Sequence, residues 1–257
     1  MEGEGGMAMS VCIITVCLNS AKTIRKTLDS VKSQTWKNID HIIIDGGSTD
    51  GTLGIIKDYE DSLGCLVSEP DNGLYDAMNK GISRATGEVV YFLNSDDILC
   101  TPEVISDVVH AFQFDPKTDL LYGNVIYKYQ NRQERRSFKH ISKKNILFEN
   151  LCHQAVFARR RLFEKVGGFD TDYKIAADYD WILRVFFSGL VVRYLDRDIA
   201  YFNAEGRHRD DIGLSEKERL ATKLRHIGWL AYKYGEVIYR MGRKYRRLAS
   251  RHNKRER

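Results

Sequence analysis

The chain has 257 residues, of which 43% are hydrophobic and 29% charged, with only three prolines; this is the composition of a globular protein with one large domain and an appendage, and it excludes long disordered linkers. The net charge of +5 is uneven, because residues 240–257 hold nine Lys/Arg against the single acid Glu256, which leaves 31 bases against 34 acids elsewhere. The basic character therefore belongs to the tail and does not make the body a nucleic-acid binder.

Residues 1–9 are Gly- and Glu-rich, show no secretory pattern, and read as a tag remnant or a misplaced start outside the fold. No apolar run approaches the roughly 20 residues that span a bilayer. The five cysteines are scattered among apolar residues, which suits reduced, partly buried thiols of a cytoplasmic protein. Residues 10–16 (Ser-Val-Cys-Ile-Ile-Thr-Val) predict a first strand, with Asn19 and Ser20 as a turn and N-cap, and residues 23–34 an amphipathic helix with Ile24, Leu28 and Val31 on one face. Residues 39–44 predict a second buried strand ending at Asp45. Gly46 and Gly47 follow, where the backbone can turn sharply and approach a ligand, then Ser48, Thr49 and Asp50 as candidate helix caps. A strand, a glycine turn and a helix make up a nucleotide-binding βαβ unit.

Residues 65–68 predict a short strand and residues 74–85 a helix carrying Asp76, Asn79 and Lys80. The apolar run of residues 89–93 reads as a fully buried central strand that delivers Asn94, Ser95, Asp96 and Asp97 to the sheet edge. Ligands of open α/β sheets bind at that edge. Two carboxylates there could hold Mg²⁺ or Mn²⁺ on a diphosphate, or could simply cap the helix expected near Pro102. Strands alternating with helices to about residue 115 indicate a mostly parallel, twisted, Rossmann-like sheet. Beyond it, residues 120–129 and 137–141 read as strands joined by the polar stretch 130–136, and residues 152–157 as a strand with His153 and Gln154 at its entrance. A short helix over residues 160–166, a helix over 177–187 and strands over 191–195 and 199–202 follow.

Taken together, these pieces resemble the family 2 inverting glycosyltransferases, which have the GT-A fold. The matching residues are Thr15 and Asn19; Ser30, Gln34 and Thr35; Ile44 to Thr52; Asn72, Gly73, Asp76, Ala77, Asn79 and Gly81; Ala85 to Gly87; Asn94 to Asp97; Gly167 to Asp170; and Ala177 to Trp181 with Arg184. They keep the family's order over residues 10–205, with a nucleotide-sugar half at 10–115 and an acceptor half at 116–205. The resemblance implies that Thr15 and Asn19 lie by the uracil or ribose and that Asp45 accepts a hydrogen bond from the base. It also places Gly47, Asp76, Asn79, Asn94, Ser95 and Asp96 around the nucleotide-sugar. Asp96, with Asp97, is implied to ligate Mn²⁺ or Mg²⁺ on the diphosphate. Asn94 stands where the family usually has the first aspartate of Asp-x-Asp, which removes a charge and weakens a metal site.

Asp178 matches the family's general base, although without the resemblance the residue reads first as a plain helix N-cap. Asp180 is the alternative base and, with Trp181, His153 and Gln154, a candidate for acceptor contacts; Trp181 has a core role and His153 a structural role as the alternative. Arg207, His208 and Arg209 fall where GT-A enzymes have a loop that closes over the diphosphate, so His208 is a further metal candidate. Residues 206–257 are expected to form this loop and a basic helical extension. Leu220, Leu224, Ile227, Ala231, Tyr234, Ile238, Met241, Tyr245 and Leu248 make a heptad seam, beside a small-residue series at Ala221, Gly228, Gly235, Gly242 and Ala249. Such a helix would dimerise, lie peripherally on a membrane or pack on the domain. The expected activity is transfer of a sugar, with inversion at C1, from a UDP-sugar or other nucleotide-sugar to a glycan or lipid-linked hydroxyl. A binding protein that keeps the fold without catalysis is the alternative. A sugar-phosphate nucleotidyltransferase is disfavoured, because Cys17-Leu18-Asn19-Ser20 is not a basic, Gly-rich triphosphate loop.

Overall fold

The computed structural model describes residues 8–205 and 212–228, together with Gly235 and Tyr239. In chain order the elements are β1 (Val11–Cys17), α1 (Ile24–Lys32), β2 (Ile39–Asp45), α2 (Thr52–Lys57), β3 (Cys65–Ser68), α3 (Leu74–Arg84), β4 (Val89–Phe92) and β5 (Ile98–Leu99). They continue with α4 (Val104–Phe114), β6 (Leu120–Tyr129), β7 (Arg132–Arg136), β8 (Val156–Arg159), α5 (Arg161–Val166), α6 (Ala177–Phe187), β9 (Val192–Asn203) and α7 (Ile212–Ile227).

The strands form one sheet in the order β3-β2-β1-β4-β8-β6-β9-β5, with β7 on β6. The β3-β2-β1-β4 half is parallel, β8 runs antiparallel between β4 and β6, and β6 pairs parallel with β9. Alternation along β1 and β4 feeds two cores on opposite faces. Cys12, Ile14, Val90 and Phe92 join Tyr75 and Met78 of α3 and Trp181 of α6, whereas Val11, Ile13, Val89 and Tyr91 join Val104, Val108 and Phe112 of α4. Helix α3 lies close on β1, since a Cβ on Gly81 would sit 2.4 Å from Ile14 Cγ2. From β1 the chain turns to β2 on one side and later to β4 on the other, so the carboxyl ends of β1 and β4 border the switch point at which such sheets bind ligands.

Several sequence expectations need correction. Met9 is buried and its carbonyl accepts the Trp36 indole N–H at 3.1 Å, so the fold starts before residue 10. Residues 132–136, expected as a linker, form β7, and no strand covers 137–141. Tyr129 pairs with Arg132 across a two-residue turn, Arg135 bridges Asp196 and Asp198, and Arg136 lies 4.1 Å from the Tyr127 ring centre. Cross-strand charge and cation–π pairs hold this edge strand, so no apolar alternation betrays it. Residues 152–157 divide into a 3-10 turn at His153–Ala155 and the start of β8. The two strands expected at 191–202 are one, β9, whose register against β6 shifts near Gly123.

Helix α7 ends at Ile227, where Gly228 takes a φ of +72° and its N–H bonds the Leu224 carbonyl at 2.9 Å. The heptad seam is thus interrupted at its third member. Thr222 is buried, Ile227 packs on the core and Leu220 is exposed, so this part of the extension docks on the domain. Tyr239 stacks on Phe148, with ring centres 5.0 Å apart, and its hydroxyl bonds Glu149. His208 with its neighbours Arg207 and Arg209, the rest of the seam and the basic run lie outside the described residues. No described helix is long and apolar enough to cross a membrane.

Candidate active site

The loops after β1, β2 and β4 are laced together at one edge of the sheet. Asn19, at a φ of +52°, accepts the Thr49 N–H at 2.9 Å on Oδ1, and its own N–H bonds Ser48 Oγ at 2.7 Å. Gly47 takes a φ of +87° in the turn that carries Ser48. Asp50 accepts the Ala21 N–H at 3.0 Å and the Thr52 N–H at 3.1 Å, so it holds the start of α2 although Gly51 is the cap position. Ser20 and Ser95 join their hydroxyls at 2.8 Å, linking the β1 loop to the β4 loop.

Two residues expected to touch the nucleotide point into the scaffold. Thr15 is fully buried, with Oγ1 3.0 Å from His41 Nε2; burial pushes that imidazole down to about 3, so it is neutral. Asp45 is also fully buried. It accepts the N–H groups of Gly47 and Ser48 at 3.1 and 3.0 Å, the Ser68 hydroxyl at 2.8 Å and the Ser48 hydroxyl. Burial alone would raise its carboxyl, but these donors outweigh it and hold the group ionised below the usual carboxylate range. Asp45 therefore shapes the glycine turn and is not free for a base.

After β4 the side chains part. Asp97 is fully buried, accepting the Gln154 side-chain amide at 2.8 Å and the Asn203 N–H at 2.9 Å. Burial, then the charge of Asp96, pushes its carboxyl well above the usual range. With both oxygens engaged in the scaffold, Asp97 does not face the cation site expected of it, and buried Gln154, whose Oε1 also meets Cys152 Sγ at 2.8 Å, is not the acceptor contact expected. Asp96 remains partly exposed and, among the described residues, takes the Asn203 side-chain amide at 3.0 Å. Asn94 Oδ1 is buried and has no hydrogen-bond partner among the described residues. No group of three or more His, Cys, Asp or Glu side chains among the described residues forms a metal cage. The residues present still suit a hard cation carried largely by substrate phosphates, through Asp96 and the unpaired oxygen of Asn94.

Across the cleft stands Asp178, the second residue of α6 and not its N-cap, which is Ala176. Its Oδ2 lies 2.9 Å from His153 Nδ1, and its Oδ1 lies 3.1 Å from the Tyr75 hydroxyl. His153 Nε2 in turn lies 3.4 Å from Asn94 Nδ2, so one imidazole connects the β4 loop to α6. With the carboxylate against Nδ1, a ring proton on that nitrogen donates to Asp178. Burial would raise the Asp178 carboxyl; the hydrogen bond and charge of His153, the Tyr179 N–H and the Arg219 cation together bring it below the usual range. Burial, then the Asp178 charge, raises the Tyr75 phenol, which stays protonated as a donor.

The other residues expected here are structural. Asp180 is 1% exposed, binding Arg184 Nε at 2.8 Å, with His226 Nε2 at 3.4 Å. Trp181 is 3% exposed, stacked 4.7 Å from Phe163, and donates to the Gly167 carbonyl at 3.0 Å. Neither touches the cleft as an alternative base or acceptor platform. Asn79 clamps the backbone of Phe169 through both amide atoms, at 2.8 and 2.9 Å, and so positions the Gly167–Phe169 turn instead of the nucleotide-sugar. Asp76 caps the Asn72 N–H at 2.9 Å and stays partly exposed.

The family model for glycosyl transferase family 2 matches residues 12–174. The chain belongs to that family. It is similar, at 36% identity over 76% of its length and 77% of theirs, to PGL/p-HBAD biosynthesis glycosyltransferases of Mycobacterium tuberculosis and Mycobacterium bovis. Among solved structures it resembles Staphylococcus aureus TarS with UDP-GlcNAc (TM-score 0.70, 22% identity, 83% of this chain and 64% of that one). It also resembles the Pyrobaculum calidifontis mannosyltransferase PcManGT with GDP-Man and Mn²⁺ (TM-score 0.66, 20% identity, 84% and 63%). It thus spans less than two thirds of either solved chain. The architecture of this glycosyltransferase is the GT-A fold, as its motifs implied.

Two residues of this glycosyltransferase's site escaped sequence reading. Tyr75 directly precedes Asp76 but is an unassigned position of that motif, and its contact with Asp178 spans 103 residues of chain. Asn203 follows the last predicted strand with no motif around it, yet it holds both Asp96 and Asp97.

Proposed function

We propose that the protein transfers a sugar from a nucleoside-diphosphate sugar, a UDP-sugar in the first instance, to a hydroxyl of a glycan or lipid-linked acceptor with inversion at C1. The observation that carries this reading is the chain of contacts from Asn94 through His153 to Asp178, which links the loop proposed to hold the diphosphate to the carboxylate proposed as base. The acceptor oxygen attacks C1 as the bond from C1 to the diphosphate oxygen breaks on the opposite face. The hydroxyl proton passes to Asp178, which is held ionised before reaction. Asn19 and the glycine turn would face the nucleoside, and Asp96 with Asn94 would hold the cation. When bound, Mg²⁺ or Mn²⁺ supplies positive charge to the leaving diphosphate. The UDP, UDP-GlcNAc and GDP-Man complexes of the structural neighbours support a nucleotide-sugar donor.

The test is calorimetric titration of UDP and GDP, with and without Mn²⁺, into wild type, Asp96→Ala and Asp178→Asn. The proposal expects binding strengthened by metal, lost in Asp96→Ala and retained in Asp178→Asn. Binding of neither nucleotide by the wild type would remove the donor site. Tight binding with no transfer by any UDP- or GDP-sugar would favour a non-catalytic binding protein.

A further inference from the structure

Glu218 lies in α7, beyond the residues matched by the family model. Its Oε1 accepts the backbone N–H of Lys174 at 2.8 Å, and its Oε2 accepts those of Ile175 and Ala176 at 2.9 and 3.0 Å. Successive N–H groups that converge on one anion form a nest. These groups immediately precede or cap α6, where backbone donors lack intrahelical partners and the helix dipole favours negative charge. No side chain caps α6 from its own N-cap position.

The clamped turn bears directly on Asp178. The Ile175 carbonyl accepts the Tyr75 hydroxyl at 2.6 Å, and that hydroxyl also faces Asp178 Oδ1. Arg219, next along α7, places its guanidinium carbon 4.3 Å from the ring centre of Tyr179, the residue after Asp178. Two successive residues of α7 therefore grip the head of α6 on either side of Asp178.

We propose that Glu218 is the positioning residue for Asp178: an anion carried on the C-terminal helix locks the turn before α6 and so fixes the carboxylate against His153 and the incoming hydroxyl. The catalytic half of this inference rests on Asp178 as the base; the structural half does not. A misplacement of about 1 Å at a reacting group can cost about 10²-fold in rate. Replacing Glu218 by Ala should therefore lower kcat by one to two powers of ten, on the order of that cost. Nucleotide affinity should be unchanged, because Glu218 bonds the turn before α6 and not a donor loop. Glu218→Gln, which keeps one acceptor oxygen, should fall between.

The full-length protein serves for the test, with Glu218→Ala, Glu218→Gln and, as a control that loosens α7 while keeping the carboxylate, Ile227→Ala. Three readouts are taken: the ¹⁵N and ¹H signals of the His153 imidazole, UDP affinity, and release of UDP or GDP from the nucleotide-sugar that the wild type turns over. Each is repeated with excess sodium formate, and with sodium chloride at equal ionic strength. The expected result is a His153 Nδ1–H signal displaced in Glu218→Ala, little changed in Ile227→Ala, and restored with kcat by formate refilling the nest. An unmoved His153 signal in Glu218→Ala would overturn the proposal, as would an equal loss in Ile227→Ala without formate rescue. If the wild type turned over no nucleotide-sugar while the His153 signal still responded to Glu218→Ala and formate, the positioning role would stand and the proposed transferase chemistry would fall.

Discussion

Two pairs of aspartates flank the cleft, Asp96 and Asp97 after β4, and Asp178 and Asp180 at the head of α6. In each pair one carboxylate is buried in the scaffold while the other stays partly exposed at the cleft. Local geometry causes the split. Neighbouring residues leaving a strand point to opposite sides, and residues two apart on a helix lie on nearly opposite faces. The buried members nevertheless behave oppositely. Asp97 meets only the neutral amide donors of Gln154 and Asn203 and sits beside a like charge, so burial wins and its carboxyl is raised. Asp180 is opposed by burial too, but His226 and Arg184 outweigh that, and its carboxyl is lowered. Burial alone does not set ionisation; the number and the charge of the partners decide, as the many neutral donors on buried Asp45 also show.

The largest test of the comparison is Asp178→Asn, which keeps the shape and removes the proposed base. Release of nucleoside diphosphate from the donor should slow by about 10²–10⁴-fold, with UDP affinity retained in calorimetry. If Asp180→Asn slowed the reaction as much while Asp178→Asn did not, the assignment of the two would be reversed.

Next in size is Asp180→Ala. It strands Arg184 and His226 beside a vacated pocket, and breaking such a pair costs about 3 kcal/mol. Urea denaturation at neutral pH should show the loss. Because the folded carboxyl is lowered, the wild-type contribution is complete above the unfolded value near ~3.9 and disappears as pH falls through the folded one. The gap between wild type and Asp180→Ala should therefore close in acid. A gap that persisted unchanged through acid titration would mean that packing and not charge holds the pair.

Smallest is Asp97→Asn, expected to cost about 1 kcal/mol at acid pH through one disturbed hydrogen bond. Its pH dependence has the opposite sign. The raised folded carboxyl of Asp97 stabilises fully below the unfolded value near ~3.9, and that contribution is lost as pH rises towards the folded one. Denaturation midpoints of Asp97→Asn should thus approach or pass those of wild type as pH rises from acid to neutral. A difference that widened with pH would show Asp97 stabilised as a carboxylate.

Much of the fold could be read locally. The apolar runs of β1, β2 and β4 and the amphipathic pattern of α1 and α3 each declare themselves within a few residues. The boundaries of β6 and α6 agree with those expected, residue for residue. Strand β7 was missed because Arg135 and Arg136 find their partners across the sheet, which a linear pattern does not encode. Among the candidate site residues, the motifs do not encode which way each side chain points. Asn79, Asp97, Gln154 and Trp181 sit within a few residues of the cleft and face the scaffold.

What the sequence by itself determined was the order of motifs, and through it the family and the edge of the sheet on which the chemistry is built. Local patterning and turn chemistry act between residues that are close in the chain. The folded arrangement alone set which carboxylate of each pair is buried, that His153 joins Asn94 to Asp178, and that Glu218 of a helix outside the family match holds the turn before Asp178. Those contacts join residues far apart in sequence. Their geometry exists only once the cores on both faces of the sheet have fixed β4, α3, α6 and α7 against one another.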